Sequence, residues 1–152
     1  MSASKRYSAI SLPPAVVADA NVVLSALIGG RARLVIASPQ GPRCVAADAV
    51  AAEIARHIQP LAAKRDLDSS LMFAALAVMP VEWKPQAEYE HRREQAEERI
   101  AARDPDDRPT VALALQLNLP VWSQDKDLTD AGTEVFTTGE LLDALRDAGH
   151  EQ

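Results

Sequence analysis

The chain has 152 residues, 47% hydrophobic and 25% charged, with 16 Lys+Arg against 22 Asp+Glu for a formal net charge of −6. That length buries one sizeable core and is short for two, and the composition excludes a disordered or low-complexity scaffold. The acidic surplus argues against a protein that coats nucleic acid electrostatically, yet leaves a nucleic-acid enzyme open, because cations held by carboxylates invert the local sign. Cys44 is the single cysteine, which excludes an intramolecular disulfide and a Cys-built zinc site and points to a reducing, cytoplasmic setting. No apolar run reaches the ~18–20 residues of a membrane span. Pro13, Pro14, Asp19 and Asn21 break up the apolar stretch after Lys5 and Arg6, so neither a signal peptide nor a membrane association is expected.

Residues 1–14 are Ser-rich, end in Pro13-Pro14 and read as a flexible lead; residues 15–149 read as one domain. Ala15 to Ala20 is short and apolar, like a strand buried on both faces. A helix over Val22 to Ile28, stopped by Gly29-Gly30, and a shorter one over Arg31 to Ser38, stopped by Pro39, follow. Arg43 to Ala46 predicts a second strand, and Asp48 an N-cap for a helix carrying Val50, Ile54 and Ile58 on one stripe, ended by Pro60. Asp68 caps a Leu/Met-rich helix, Leu71 to Val78, whose expected fate is core packing, with a dimer or partner contact as the other reading. Pro85 to Arg103 is charged throughout and reads as an exposed helix.

Pro109 opens a helix whose Val111, Leu113, Leu115 and Leu117 predict burial. Two strand candidates, Pro120 to Ser123 and Glu134 to Phe136, precede a capping box at Thr137 to Glu140 that starts the last helix. Short strands alternating with helices imply an α/β fold with a parallel sheet.

Four acids interrupt apolar structure. Asp19 ends a buried strand, Glu53 lies in an Ala/Ile-rich helix, Asp107 heads the buried helix, and Asp125 follows the Val121-Trp122-Ser123 strand. In open α/β sheets ligand sites lie beyond the carboxyl ends of strands, so Asp19 and Asp125 can share a cleft that the two helix acids join. Crowded carboxylates repel one another unless cations compensate, and oxygen donors without a cysteine or histidine cluster favour Mg²⁺ or Mn²⁺ over zinc. Such a centre suits phosphodiester hydrolysis. Each acid also has a structural reading: Asp107 as a helix cap, Asp125 as a turn cap, and Glu53 with His57 as a surface pair. A charge at the end of a Val-rich strand is expensive to bury unpaired, so Asp19 requires a partner or an ion.

Taken together, these residues resemble a family. Val17-Ala18-Asp19-Ala20-Asn21-Val22-Val23-Leu24-Ser25-Ala26-Leu27 is similar to the opening block of PIN-domain nucleases, Glu53 stands where their second acid is expected, and Arg103-Asp104-Pro105-Asp106-Asp107-Arg108-Pro109 resembles the third block. Val121-Trp122-Ser123-Gln124-Asp125-Lys126-Asp127-Leu128 resembles the closing strand and its acidic turn, with Asp125 placed 18 positions after Asp107. The resemblance implies a three-layer α/β/α sandwich with a central, mainly parallel sheet. It also implies a metal-dependent endoribonuclease whose Asp19, Glu53, Asp107 and Asp125 ligate Mg²⁺ or Mn²⁺, with Asp127 auxiliary. Asp104 and Asp106 compete with Asp107 for the third place. Asn21 and Ser123 stand beside the acids as groups that orient ligands, or as turn and cap residues. Arg103, Arg108 and Lys126 are set to contact substrate phosphates, or to pair with neighbouring acids. Compact prokaryotic members of the family are toxins of toxin–antitoxin pairs, which implies an RNA substrate, a cognate antitoxin and a homodimer.

Two other classes are open to the same residues. A strand-end Asp phosphatase needs Asp at the second position after the strand Asp, where this chain has Asn21, which cannot act as a general acid. A PIN-like module that binds RNA or protein without cleaving has no physical need for four mutually repelling acids.

Overall fold

The computed structural model describes residues 11–100, 105–124 and 126–150, with backbone only at 126, 127, 130 and 150. Among the described residues five strands form one parallel sheet in the order β3-β2-β1-β4-β5. The strands are β1 (Ala15–Ala18), β2 (Arg43–Ala47), β3 (Val81–Lys84), β4 (Val121–Trp122) and β5 (Val135–Phe136). The helices between and after them are α1 (Ala20–Leu27), α2 (Ala32–Ile36), α3 (Asp48–Arg65), α4 (Ser69–Val78), α5 (Gln86–Tyr89), α6 (Arg93–Ile100), α7 (Arg108–Leu117) and α8 (Thr138–His150). They flank the sheet in a three-layer α/β/α sandwich, as expected.

The core is built around β1, whose four residues Ala15 to Ala18 are all buried. Its register sets Val17 opposite Val45 on one side and Val121 on the other, so small β-branched side chains fill both layers. Cys44 lies in β2, buried, and burial pushes its thiol up to about 11. The edge strand β3 is more exposed and carries charge: Glu82 meets Arg43 at 2.7 Å and Lys84 at 3.5 Å, a device that discourages edge-to-edge pairing.

α7 buries Thr110, Val111, Ala112, Leu113 and Ala114 and packs against β1, β2, β4 and α3. The predicted capping box is present: Glu140 N–H donates to Thr137 Oγ1 at 3.2 Å while Thr137 N–H donates to Glu140 Oε1 at 2.9 Å. Asp68 caps α4 through Ser70 and Leu71 N–H.

Four expectations are corrected. α3 does not end at Pro60 but runs through it to Arg65, closing on Asp66 in a left-handed conformation (φ 56°). The stripe Ile54, Ile58 and Ala62 is buried on both sides of the proline, and that packing outweighs the lost hydrogen bond. Asp48 is not the N-cap of α3 but its first residue, and its carboxylate instead receives Tyr89 Oη–H at 2.6 Å and Gln86 N–H at 3.1 Å. The charged stretch after Pro85 is not one exposed helix: α5, a 3₁₀ turn and α6 divide it up to Ile100, and Tyr89, Ala96 and Ile100 are buried. α4 is not absorbed by the core, since only Met72 is buried while Leu71 and Val78 are 68% and 80% exposed.

Because Pro60 sits on the exposed side of a continuous helix, Pro60→Ala restores a backbone donor without disturbing packing. Urea unfolding is expected to show a gain of about 2 kcal/mol, less than the ~3 kcal/mol helix-interior penalty because proline also restricts the unfolded chain.

Candidate active site

The strand order turns back between β1 and β4, and the crevice beyond the carboxyl ends of strands at such a point is where open α/β sheets hold ligands. The ladder continues one step past both strands: Asp19 N–H donates to Trp122 O at 3.1 Å, and Ser123 N–H to Phe136 O at 3.1 Å. Asp19 and Ser123 therefore meet at the switch point. Ser123 Oγ–H donates to Asp19 Oδ2 at 2.6 Å, a contact between residues 104 positions apart, and both are buried, Asp19 at 7% exposure. The other oxygen, Oδ1, receives Asn21 N–H at 2.7 Å and so caps α1. Asn21 is itself exposed and acts on the carboxylate through its backbone.

The turn beyond β4 is anchored from behind. Leu128 and Ala131 are buried, Thr133 Oγ1–H donates to Leu128 O at 2.9 Å, and Arg99 Nη1 donates to Ala131 O at 3.0 Å. Trp122, fully buried, donates from Nε1 to Thr138 Oγ1 at 3.0 Å and ties β4 to the start of α8. Lys126 and Asp127 lie in this anchored turn, although their side chains, like Asp125, Asp104 and Arg103, fall outside the described residues.

Glu53 is half-buried on α3 and lines a cavity of about 330 Å³ together with Asp106. Asp107 closes the 3₁₀ turn before α7; it holds the N-cap position without a side-chain cap hydrogen bond and is not part of that cavity wall. Arg108 lines the cavity but is already paired, with Glu97 at 2.9 Å and Pro105 O at 3.0 Å. His57 bonds the backbone oxygen of Glu53 at 2.8 Å rather than its carboxylate. Among the described residues, no three His, Cys, Asp or Glu side chains come together as a metal cage. The elements bearing Asp19, Glu53 and Asp107 do converge, α7 packing on both β1 and α3. Their donors are oxygens, which suits a hard divalent cation.

Residues that sequence reasoning missed form the rest of the cavity: Arg56, Tyr89 and Arg93 among them. Arg56 had a local signal, since it stands three residues after Glu53 on the same helical face. Tyr89 had none, because its partner Asp48 is 41 positions away.

A PIN domain family model matches residues 17–146, and the chain belongs to the PIN domain family. Among solved structures the chain is similar to VapBC2 from Rickettsia felis, described as bound to a DNA fragment from their promoter. The TM-score is 0.59 at 10% identity, covering 81% of this chain and 98% of that one. FitAcB from Neisseria gonorrhoeae matches with a TM-score of 0.45 at 17% identity, over 82% of this chain and 98% of that one. No curated protein sequence matches the chain.

Two outcomes are expected. Ser123→Ala leaves a buried carboxylate oxygen without its hydroxyl donor, and chemical denaturation is expected to show a loss of about 2 kcal/mol. Tyr89 holds its proton up to about 12 rather than 10, through burial first and then the Asp48 carboxylate. A raised folded value means that the contribution is complete below pH 10 and disappears as pH rises toward 12. Tyr89→Phe is therefore expected to be about 1 kcal/mol less stable at pH 7 and to lose less stability than the parent between pH 10 and 12 in pH-stepped urea titrations.

Proposed function

We propose that this PIN domain, one unit over residues 15–149, is a Mg²⁺- or Mn²⁺-dependent endoribonuclease and the toxin of a type II toxin–antitoxin pair in the cytoplasm. The observation that carries the reading is Asp19: a carboxylate buried at the switch point of a parallel sheet, with one oxygen gripped by Ser123 and the other by the start of α1. Two donors fix its orientation, which is what a ligand that must meet a cation at a set angle requires. Glu53, Asp107 and Asp125 would complete the donor set, with Asp127 auxiliary and Asp106 competing for the place of Asp107. A divalent cation held there supplies polarisation of the phosphodiester and a lowered pKa for attacking water. The chain's own part is to hold and orient: Ser123 and the Asn21 backbone set Asp19, and Lys126, in the turn after β4, is the cation we propose for substrate phosphate. Three acidic blocks in family order support catalysis over a binding-only module. A cognate antitoxin and a second copy of the chain are the partners we propose, supported by the apolar exposure of α4 at Leu71, Phe73 and Val78.

The test is cleavage of a labelled single-stranded RNA pool with Mg²⁺, with Mn²⁺ and with EDTA, beside Asp19→Asn. Asparagine keeps the capping oxygen of α1, so the variant is expected to fold and to lose cleavage by at least about a hundredfold, a loss of transition-state stabilisation near 2.7 kcal/mol. Cleavage that survives EDTA or the substitution would refute the metal-centre reading; absence of any cleavage by folded parent protein would favour a binding module.

A further inference from the structure

The cavity beside Glu53 carries three guanidinium groups on its walls, from Arg56, Arg93 and Arg108. Two of them are neutralised within the fold. Arg93 meets Glu90 at 3.4 Å and Glu97 at 3.5 Å, and Arg108 meets Glu97 at 2.9 Å. Arg56 differs: its side chain is exposed, and among the described residues its guanidinium has neither ion pair nor hydrogen bond. The remaining charged groups of the wall are carboxylates, Glu53, Glu90 and Asp106, of which Glu90 is also engaged by Gln86 Nε2.

An acid-lined cleft repels a polyanion unless a cation on its wall is available. Arg93 and Arg108 must break existing pairs before they can bind an outside phosphate, whereas Arg56 gives up only water. A guanidinium presents a planar fork of donors that matches two phosphate oxygens at once. Arg56 stands three residues after Glu53, so both side chains leave the same face of α3 and open into the same cavity. About 330 Å³ is at the lower end of small-ligand pockets.

We propose that Arg56 binds a backbone phosphate of the nucleic-acid substrate next to the one that is cleaved, and that the cavity it shares with Glu53 and Asp106 receives the adjoining nucleotide. Arg56 is thus a substrate-binding residue of the nuclease reading above, on which this inference rests. Its signature is an electrostatic contribution to binding that is separable from the chemistry at Asp19.

The experiment measures binding of a labelled single-stranded RNA by fluorescence anisotropy across a salt series, in EDTA so that no cleavage intervenes, for the parent, Arg56→Gln and Arg56→Lys. KM and kcat for the same RNA are then measured with Mg²⁺. Loss of one phosphate contact is expected to weaken Arg56→Gln about three- to tenfold and to flatten the plot of log affinity against log salt by about 0.7. KM is expected to rise by the same factor with kcat near the parent value. Arg56→Lys is expected to restore the salt slope and only part of the affinity. Parent protein that binds and cleaves RNA while Arg56→Gln matches it in affinity, slope and KM would overturn this proposal and leave the nuclease reading standing. Failure of the parent to bind or cleave any RNA would remove both.

Discussion

At the point where the strand order reverses, the Ser123 Oγ–H to Asp19 Oδ2 hydrogen bond adds a side-chain tie to the backbone ladder that joins β1 to β4. A carboxylate taken out of water costs several kcal/mol unless donors replace the lost hydration. Asp19 is supplied from two directions, by a side chain after β4 and by the backbone of α1. The same group therefore terminates β1, starts α1 and ties the end of β4 to both, and so helps to set the geometry of the crevice.

The surroundings are arranged to keep that junction in place. α7 presents a nearly continuous apolar surface to β1, β2 and β4, which covers one face of the inner strands. Trp122 fills the space below β4 and is tied to α8 through Thr138, and Arg99 reaches from α6 to the turn that follows. The Asp48 carboxylate braces α5 against the start of α3 through Tyr89 and Gln86, so that part of the wall of the cavity beside Glu53 is held by polar contacts as well as by burial.

How much of this was legible in the sequence follows the range of the interactions. The start of α4 at Asp68 and the Thr137–Glu140 box were readable because both partners lie within three residues. β1 was readable because a Val-rich run between prolines and a charge has one comfortable environment. Pro60 misled because the rule about proline is local, whereas the stripe of Ile54, Ile58 and Ala62 acts over the whole of α3. The stretch after Pro85 does not read as buried at Tyr89, because the partner of Tyr89, Asp48, lies far back in the chain. α4 reads as core from its composition yet lies largely exposed, since a helix that is apolar nearly all round does not announce which side meets the core. At the site, Asp19 was conspicuous by its cost and Ser123 stood out as a group beside the acids, but the order of residues does not say that Ser123 serves Asp19, 104 positions away, or that Arg93 and Arg108 are paired while, among the described residues, Arg56 is not.

Cys44 illustrates a different outcome of close packing. With its thiol buried in β2 and pushed up to about 11, little of it is thiolate at neutral pH, and the thiolate is the form that attacks oxidants or alkylating reagents. The chain's sole sulfhydryl is thus close to silent toward such reagents while the protein stays folded. The same silence makes the natural sequence a blank background, on which a cysteine introduced at the surface reports its own position with little competing label.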